Sequence, residues 1–142
     1  MNNIIKKNEL FWQYPVITEK TFYEQNKEDE NYIGIPWATM FDLRGNTNKI
    51  NEIINDIKKV VDPQKSYYTC CQHICFRYFI KIWIFLGIKT VYISHKIKNE
   101  DIIEGINLKP CPLYAINIED KTKNSEFKNK DILNTKRSIL YN

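Results

Sequence analysis

No apolar run in this sequence approaches the ~20 residues that a membrane-spanning helix needs. The longest, FIKIWIFLGI, is broken by Lys81. The opening MNNIIKKNEL holds an apolar stretch only two residues long, with no small-residue cleavage site, so it does not read as a secretory signal. Arginine is scarce: Arg44, Arg77 and Arg137 stand alone in a lysine-rich basic complement. A nucleic-acid surface usually shows a basic stripe interleaved with aromatics, and none is present. Glycine is scarce too, with four in the chain, and none falls in a G-x-G-x-x-G or Walker arrangement. A dedicated phosphate loop is therefore not encoded. These absences point to a soluble cytoplasmic protein with neither membrane span nor nucleic-acid partner.

The 142 residues suit a single domain able to bury a core without staples. Hydrophobic content of 43% and aromatic content of 13% are those of a globular chain. The net charge of +4 is spread along the sequence. Abundant Lys, Asn and Ile reflect AT-rich codons more than function.

Cys70, Cys71 and Cys75 crowd around His73 in SYYTCCQHICF, and Cys111 lies apart in PCP. Structural zinc wants two spaced ligand pairs, which this pattern lacks, so neither a metal nor a resident cofactor is expected. Adjacent Cys70 and Cys71 cannot easily pair, and thiols in a chain without a signal read as reduced. On a strand their side chains alternate between faces, which favours core packing for both. Cys75 opens a strongly apolar segment and reads as core as well.

Along the chain, residues 1–31 read as an irregular, aromatic segment packing on the domain: an extended stretch, then a short helix within FWQYPVITEKTFYEQN. Residues 32–120 read as the α/β domain, and 121–142 as a charged tail. A strand is expected at Ile35–Phe41, with Pro36 near its beginning. A helix follows, capped by Asn46 or Thr47, with apolar residues at 50, 53, 54, 57, 60 and 61, and stopped by Asp62-Pro63. SYYTCC is dense in β-formers and reads as a second strand. ICFRYFIKIWIFLG reads as a buried helix with Gly87 at its C-terminus. KTVYIS reads as a third strand, NEDIIEG as a short polar helix or turn, and Leu113–Ile118 as a fourth strand. This alternation predicts a Rossmann-like α/β fold, a parallel sheet flanked by helices.

Open parallel sheets bind ligands beyond the carboxyl ends of their strands. On that rule the candidates are Asp42 and Arg44 after the first strand, Gln72 and His73 after the second, Ser94, His95 and Lys96 after the third, and Asn117, Glu119 and Asp120 after the fourth. Both histidines of the chain fall at such ends. An imidazole beside a cation in SHK suits a phosphate or a sugar hydroxyl. Strand ends also carry polar residues simply because the chain is leaving the core, and Asp42 with Arg44 equally suits a local salt bridge. Trp12 and Trp37 suit either a stacking surface for a sugar ring or packing of the N-terminal segment onto the sheet.

FWQYPVITEKTFYEQN, YIGIPWATMFD, YYTCCQHICFR, TVYISHK and CPLYAINIED together resemble the N-terminal half of exostosin-like glycosyltransferases, especially those of large DNA viruses. The resemblance runs from about Phe11 to the C-terminus. It implies a GT-B enzyme, in which two Rossmann-like domains face each other and the N-terminal one receives the acceptor. It implies no bound metal, and a nucleotide-sugar and a glycan acceptor as partners. His95, His73 and Asp42 would then be catalytic, with Gln72, Lys96, Arg44, Asn117, Glu119 and Trp37 contacting substrate. A chain of this length is expected to hold one such domain, so transfer would need a second domain or a protein partner. Two other readings stay open: a non-catalytic interaction module, and a small nucleotide-binding α/β enzyme.

Overall fold

The computed structural model describes residues 1–116 and 122. Four strands form one mixed sheet in the order β1-β2-β4-β3, comprising β1 (Tyr67–Cys71), β2 (Ile88–Ile93), β3 (Ile102–Ile103) and β4 (Ile106–Pro110). Strands β1, β2 and β4 run parallel, with Cys71 opposite Ile93 and Ile93 opposite Pro110. Strand β3 is antiparallel to β4. Among the described residues, five α-helices accompany the sheet: α1 (Asn2–Lys7), α2 (Thr18–Asn26), α3 (Trp37–Asp42), α4 (Thr47–Val60) and α5 (Ile80–Phe85). The chain is thus an α/β protein with its sheet flanked by helices.

Helix α4 follows its sequence pattern closely. Ile50, Ile53, Ile54 and Ile57 form the buried stripe, and the Asn46 side chain accepts a hydrogen bond from Lys49 N at 3.0 Å. Val61 is buried, whereas Val60 is exposed. Asp56 on the same helix receives Lys7 Nζ at 2.6 Å and so ties α4 to α1. These hydrogen bonds hold its carboxyl down at about 2.

Strand β1 is buried along most of its length and β2 alternates more. A 3-10 turn at Phe76–Phe79 and helix α5 cross between them, and Gly87 takes a φ of +78° to end the crossover. That left-handed conformation costs a glycine little. On one face of the sheet, the rings of Trp37, Phe79 and Trp83 pack tilted or edge-on, with centroids 5.2–5.9 Å apart, inside the main core. On the other, Phe22 of α2 packs with Tyr32, Cys70 and Cys111.

Several expectations change. The segment expected as a strand at Ile35–Phe41 is helical from Trp37 onward. Pro36 (φ −75°) precedes that helix, and the Glu19 carboxylate accepts from Ala38 N. A short apolar run carries no period able to separate helix from strand, and tertiary capping decided the case. Among the described residues, the last long strand is Ile106–Pro110, earlier than the strand expected at Leu113–Ile118. In INLKP, Ile106 and Leu108 are buried while Asn107 and Lys109 are exposed. NEDIIEG, expected as a short polar helix or turn, supplies β3 and a turn, with Glu104 and Gly105 at φ +46° and +83°, the signs a tight hairpin turn demands. Of the expected fourth strand, Ala115 makes a single antiparallel bridge to Val16, and residues 117 and 118 lie outside the described residues. The N-terminal segment is also more regular than expected, since residues 2–7 are helical.

Candidate functional site

Strand β1 ends at Cys71, and the next two residues part company. Gln72 turns inward. Its Oε1 accepts from Glu19 N at 3.0 Å, and its Nε2 donates to Val16 O at 3.1 Å. At 5% exposure it is a buried member of a polar network, not the exposed, cleft-facing residue expected from the strand tip. The first turn of α2 lies over this strand end, and a buried amide must find partners there. Trp37 is also removed from the candidate surface. It is fully buried, with Nε1 donating to Thr69 Oγ1 at 2.7 Å, so it cannot stack on a ligand.

His73 turns outward and remains half-buried. Its ring lies 4.1 Å from that of Phe41, at 28° between planes. Its Nδ1 accepts from Cys75 N at 3.1 Å, so the neutral imidazole carries its proton on Nε2. Burial pushes the His73 pKa down, Asp42 opposes that, and Arg44 and His95 reinforce it. Asp42, Arg44 and His95 are thus near enough to His73 to act on its charge. Asp42 and Arg44 arrive from the end of α3 and the 3-10 turn at Leu43–Gly45, not from a strand end. They do not pair with each other. Asp42 Oδ2 accepts from Gln13 Nε2 at 2.7 Å, while the Arg44 guanidinium lies 4.5 Å over the Phe41 ring and donates to Phe41 O. Tyr78 meets Phe41 edge-on at 5.6 Å.

His95 and Lys96 follow β2 as expected. Lys96 Nζ is held by Asp101 Oδ1 at 2.6 Å. Asn117 and Glu119 lie outside the described residues. Cys75 is exposed rather than in the core, because the 3-10 turn that follows it buries Phe76 and Phe79 instead.

Phe41 and Gln13 were not foreseen as parts of this cluster. Phe41 sits beside Asp42 in sequence, but reading its segment as a buried strand hid its role. Glu19 was missed as well. It is 2% exposed, both its oxygens face Ala38 N, and Gln72 N donates to Oε1 at 3.0 Å. Burial pushes its pKa up to about 8, against the pull of these amide donors. An acidic residue near a helix start is ordinary in sequence, and nothing marks this one as buried.

Among the described residues, no three His, Cys, Asp or Glu side chains gather in a way that could hold a metal ion, and no helix is long and apolar enough to cross a membrane. A groove of about 360 Å³ lined by Asn51, Ile54, Asn55, Lys81, Ile82 and Phe85 lies between α4 and α5, away from the histidines. Fold and site together define an α/β protein with an aromatic–imidazole cluster near the carboxyl end of its sheet. No protein-family model, curated protein or solved structure matches the chain.

Proposed function

We propose that this chain is the acceptor-side, Rossmann-like domain of a GT-B, exostosin-like glycosyltransferase acting in the cytoplasm. The observation that carries the reading is the stack of His73 on Phe41, with Asp42, Arg44 and His95 near enough to act on the imidazole charge. An imidazole backed by an aromatic ring offers its outer face to a sugar ring, while carboxylate, guanidinium and imidazole groups bind its hydroxyls. The stretches resembling that family, which include YIGIPWATMFD and YYTCCQHICFR, contribute Phe41, Asp42 and His73 to this cluster.

The roles divide by hydrogen bonding. Neutral His73 spends its Nδ1 lone pair on Cys75 N, so it donates from Nε2 and orients the acceptor instead of taking its proton. Asp42 and His95 are the candidates for general base toward an acceptor hydroxyl. The nucleotide-sugar donor is held by a second domain or a partner chain.

Saturation-transfer NMR with a panel of neutral oligosaccharides tests the binding step. Signals from a bound sugar should weaken in Phe41→Ala and His73→Ala, with folding monitored by circular dichroism. A panel that gives no transfer to the wild-type protein would sink the reading. Release of nucleoside diphosphate from nucleotide-sugars, with and without an oligosaccharide that binds, then tests transfer.

An interaction module is the second reading, favoured by exposed Val60, Ile84 and Phe85 on α4 and α5. Light scattering over a range of concentrations tests self-association. A strict monomer would leave that reading without this support.

A further inference from the structure

All four cysteines are thiols, yet two that are 41 residues apart meet inside the protein: Cys70 Sγ lies 3.9 Å from Cys111 Sγ. Both are buried, at 1% and 5% exposure, in the cluster that also holds Phe22 and Tyr32. Cys70 is the penultimate residue of β1, an edge strand of the sheet, and lies opposite Tyr92 of β2. Cys111 sits one residue beyond β4, anchored by its backbone N–H to Ile93 O at 3.0 Å. Ser94 Oγ stands 3.6 Å from Cys111 Sγ.

We propose that Cys70 and Cys111 form a reversible disulfide when the protein meets a low-molecular-weight disulfide. The sulfurs are in van der Waals contact and need approach each other by only about 2 Å to reach bonding distance. Strand pairing holds Cys70 in place, so the movement falls on Cys111, which is just past its strand and between Pro110 and Pro112. The reaction runs in two exchanges. The Cys111 thiolate attacks the small disulfide and releases one small thiol. The Cys70 thiolate then attacks the mixed disulfide at Cys111 and releases the second. The protein loses two electrons and two protons, and the small disulfide gains both as two thiols. The contact with the Cys111 thiol, together with burial, raises the pKa of Cys70, so attack waits on local opening of the segment around Cys111.

The bond would act on more than the two sulfurs. Directly after Cys111 the chain holds the N-terminal segment: Thr18 Oγ1 donates to Pro112 O, Tyr114 N to Thr18 Oγ1, Ile17 N to Tyr114 O, and Ile116 N to Pro15 O. That segment carries Glu19, bonded to Gln72 at the end of β1. Oxidation would therefore clamp β1 to the strip that holds the N-terminal segment on the sheet. The inference is independent of the sugar-binding reading.

The test incubates the full chain in glutathione buffers of graded oxidised-to-reduced ratio and maps peptides without reduction. A peptide joining Cys70 to Cys111, lighter by two hydrogen atoms and restored by excess thiol, is the expected product. The denaturant midpoint should rise with its formation. A Cys75→Ser variant removes the exposed thiol and should give the same bridge. The inference is overturned by glutathione adducts on Cys70 or Cys111 that never resolve to the bridge. It is equally overturned by a bridge through Cys71, or by unmodified Cys70 and Cys111 at sub-denaturing urea, where the segment opens.

Discussion

Glu19 and Gln72 are hydrogen-bonded to each other twice: Glu19 N donates to Gln72 Oε1 and Gln72 N donates to Glu19 Oε1, each at 3.0 Å. This reciprocal pair joins the first turn of α2 to the end of β1. Because the same carboxyl also faces Ala38 N, one buried side chain sets the mutual position of α2, α3 and β1.

Burial raises the Glu19 pKa from 4.5 to about 8, so the folded protein holds its proton where the unfolded chain has lost it. The folded state binds more protons between these values, and stability contributed by this group falls as pH rises through that window. One pKa unit corresponds to about 1.4 kcal/mol, so the slope is measurable. Urea midpoints across the window should decline with pH in the wild type and flatten in Glu19→Gln. A variant with the wild-type slope would remove Glu19 as its origin.

His73 titrates in the opposite sense. Its folded pKa lies below 6.5, so its contribution to stability is lost as pH falls through the unfolded value and is full above it. An NMR titration should place its apparent pKa below that of a free imidazole. Arg44→Gln should raise it and Asp42→Asn should lower it further. Phe41→Ala should raise it by opening the ring to water. Unchanged titration in all three variants would mean that the cluster does not act on His73.

Two buried tryptophans offer a controlled comparison. Trp37 Nε1 donates to Thr69 Oγ1, whereas Trp83 Nε1 has no partner among the described residues. Both substitutions to Phe leave space in the core, but only Trp37→Phe breaks a buried hydrogen bond. Trp37→Phe should cost about 2–4 kcal/mol, and Trp83→Phe about 1–2 kcal/mol less, since it also removes an unsatisfied donor. Chemical denaturation of the two variants checks the order.

The cap of α4 gives a local prediction. Asn46 Oδ1 accepts from Lys49 N at 3.0 Å, and Asn46→Ala should cost about 1 kcal/mol of stability. Asn46→Asp should retain most of the stability, because a carboxylate accepts the same bond and faces a helix N-terminus. Equal loss in both variants would count against capping as the cause.

Sequence periodicity was a good guide where one face of an element is buried over several turns. Helix α4 has its stripe and cap where the pattern puts them, and the β1–α5–β2 crossover was legible from β-formers, an apolar run and Gly87. Short elements were not legible. Residues 37–42 hold Trp, Ala, Thr, Met, Phe and Asp, a set compatible with helix or strand. Their state was decided by Pro36 and by a carboxylate 19 positions away in sequence. The alternation in INLKP was overlooked beside the longer apolar run after it, and Glu104-Gly105 is a less familiar turn pair than Asn-Gly.

The same division holds for the site. Local chemistry alone marked His73, His95, Asp42 and Arg44, because polar groups at element ends carry a signal in their own residue type. It could not separate Gln72 from His73. Adjacent residues leave a strand on opposite sides, and which side is covered depends on where α2 lies. Local pattern was enough for a helix with one apolar stripe, a buried parallel crossover and the residue types available near its end. That Gln72 is buried, that Phe41 carries His73 and that Cys70 meets Cys111 follow from packing between distant segments. Each of these depends on contacts between residues 32 to 53 positions apart or more, which local pattern does not encode.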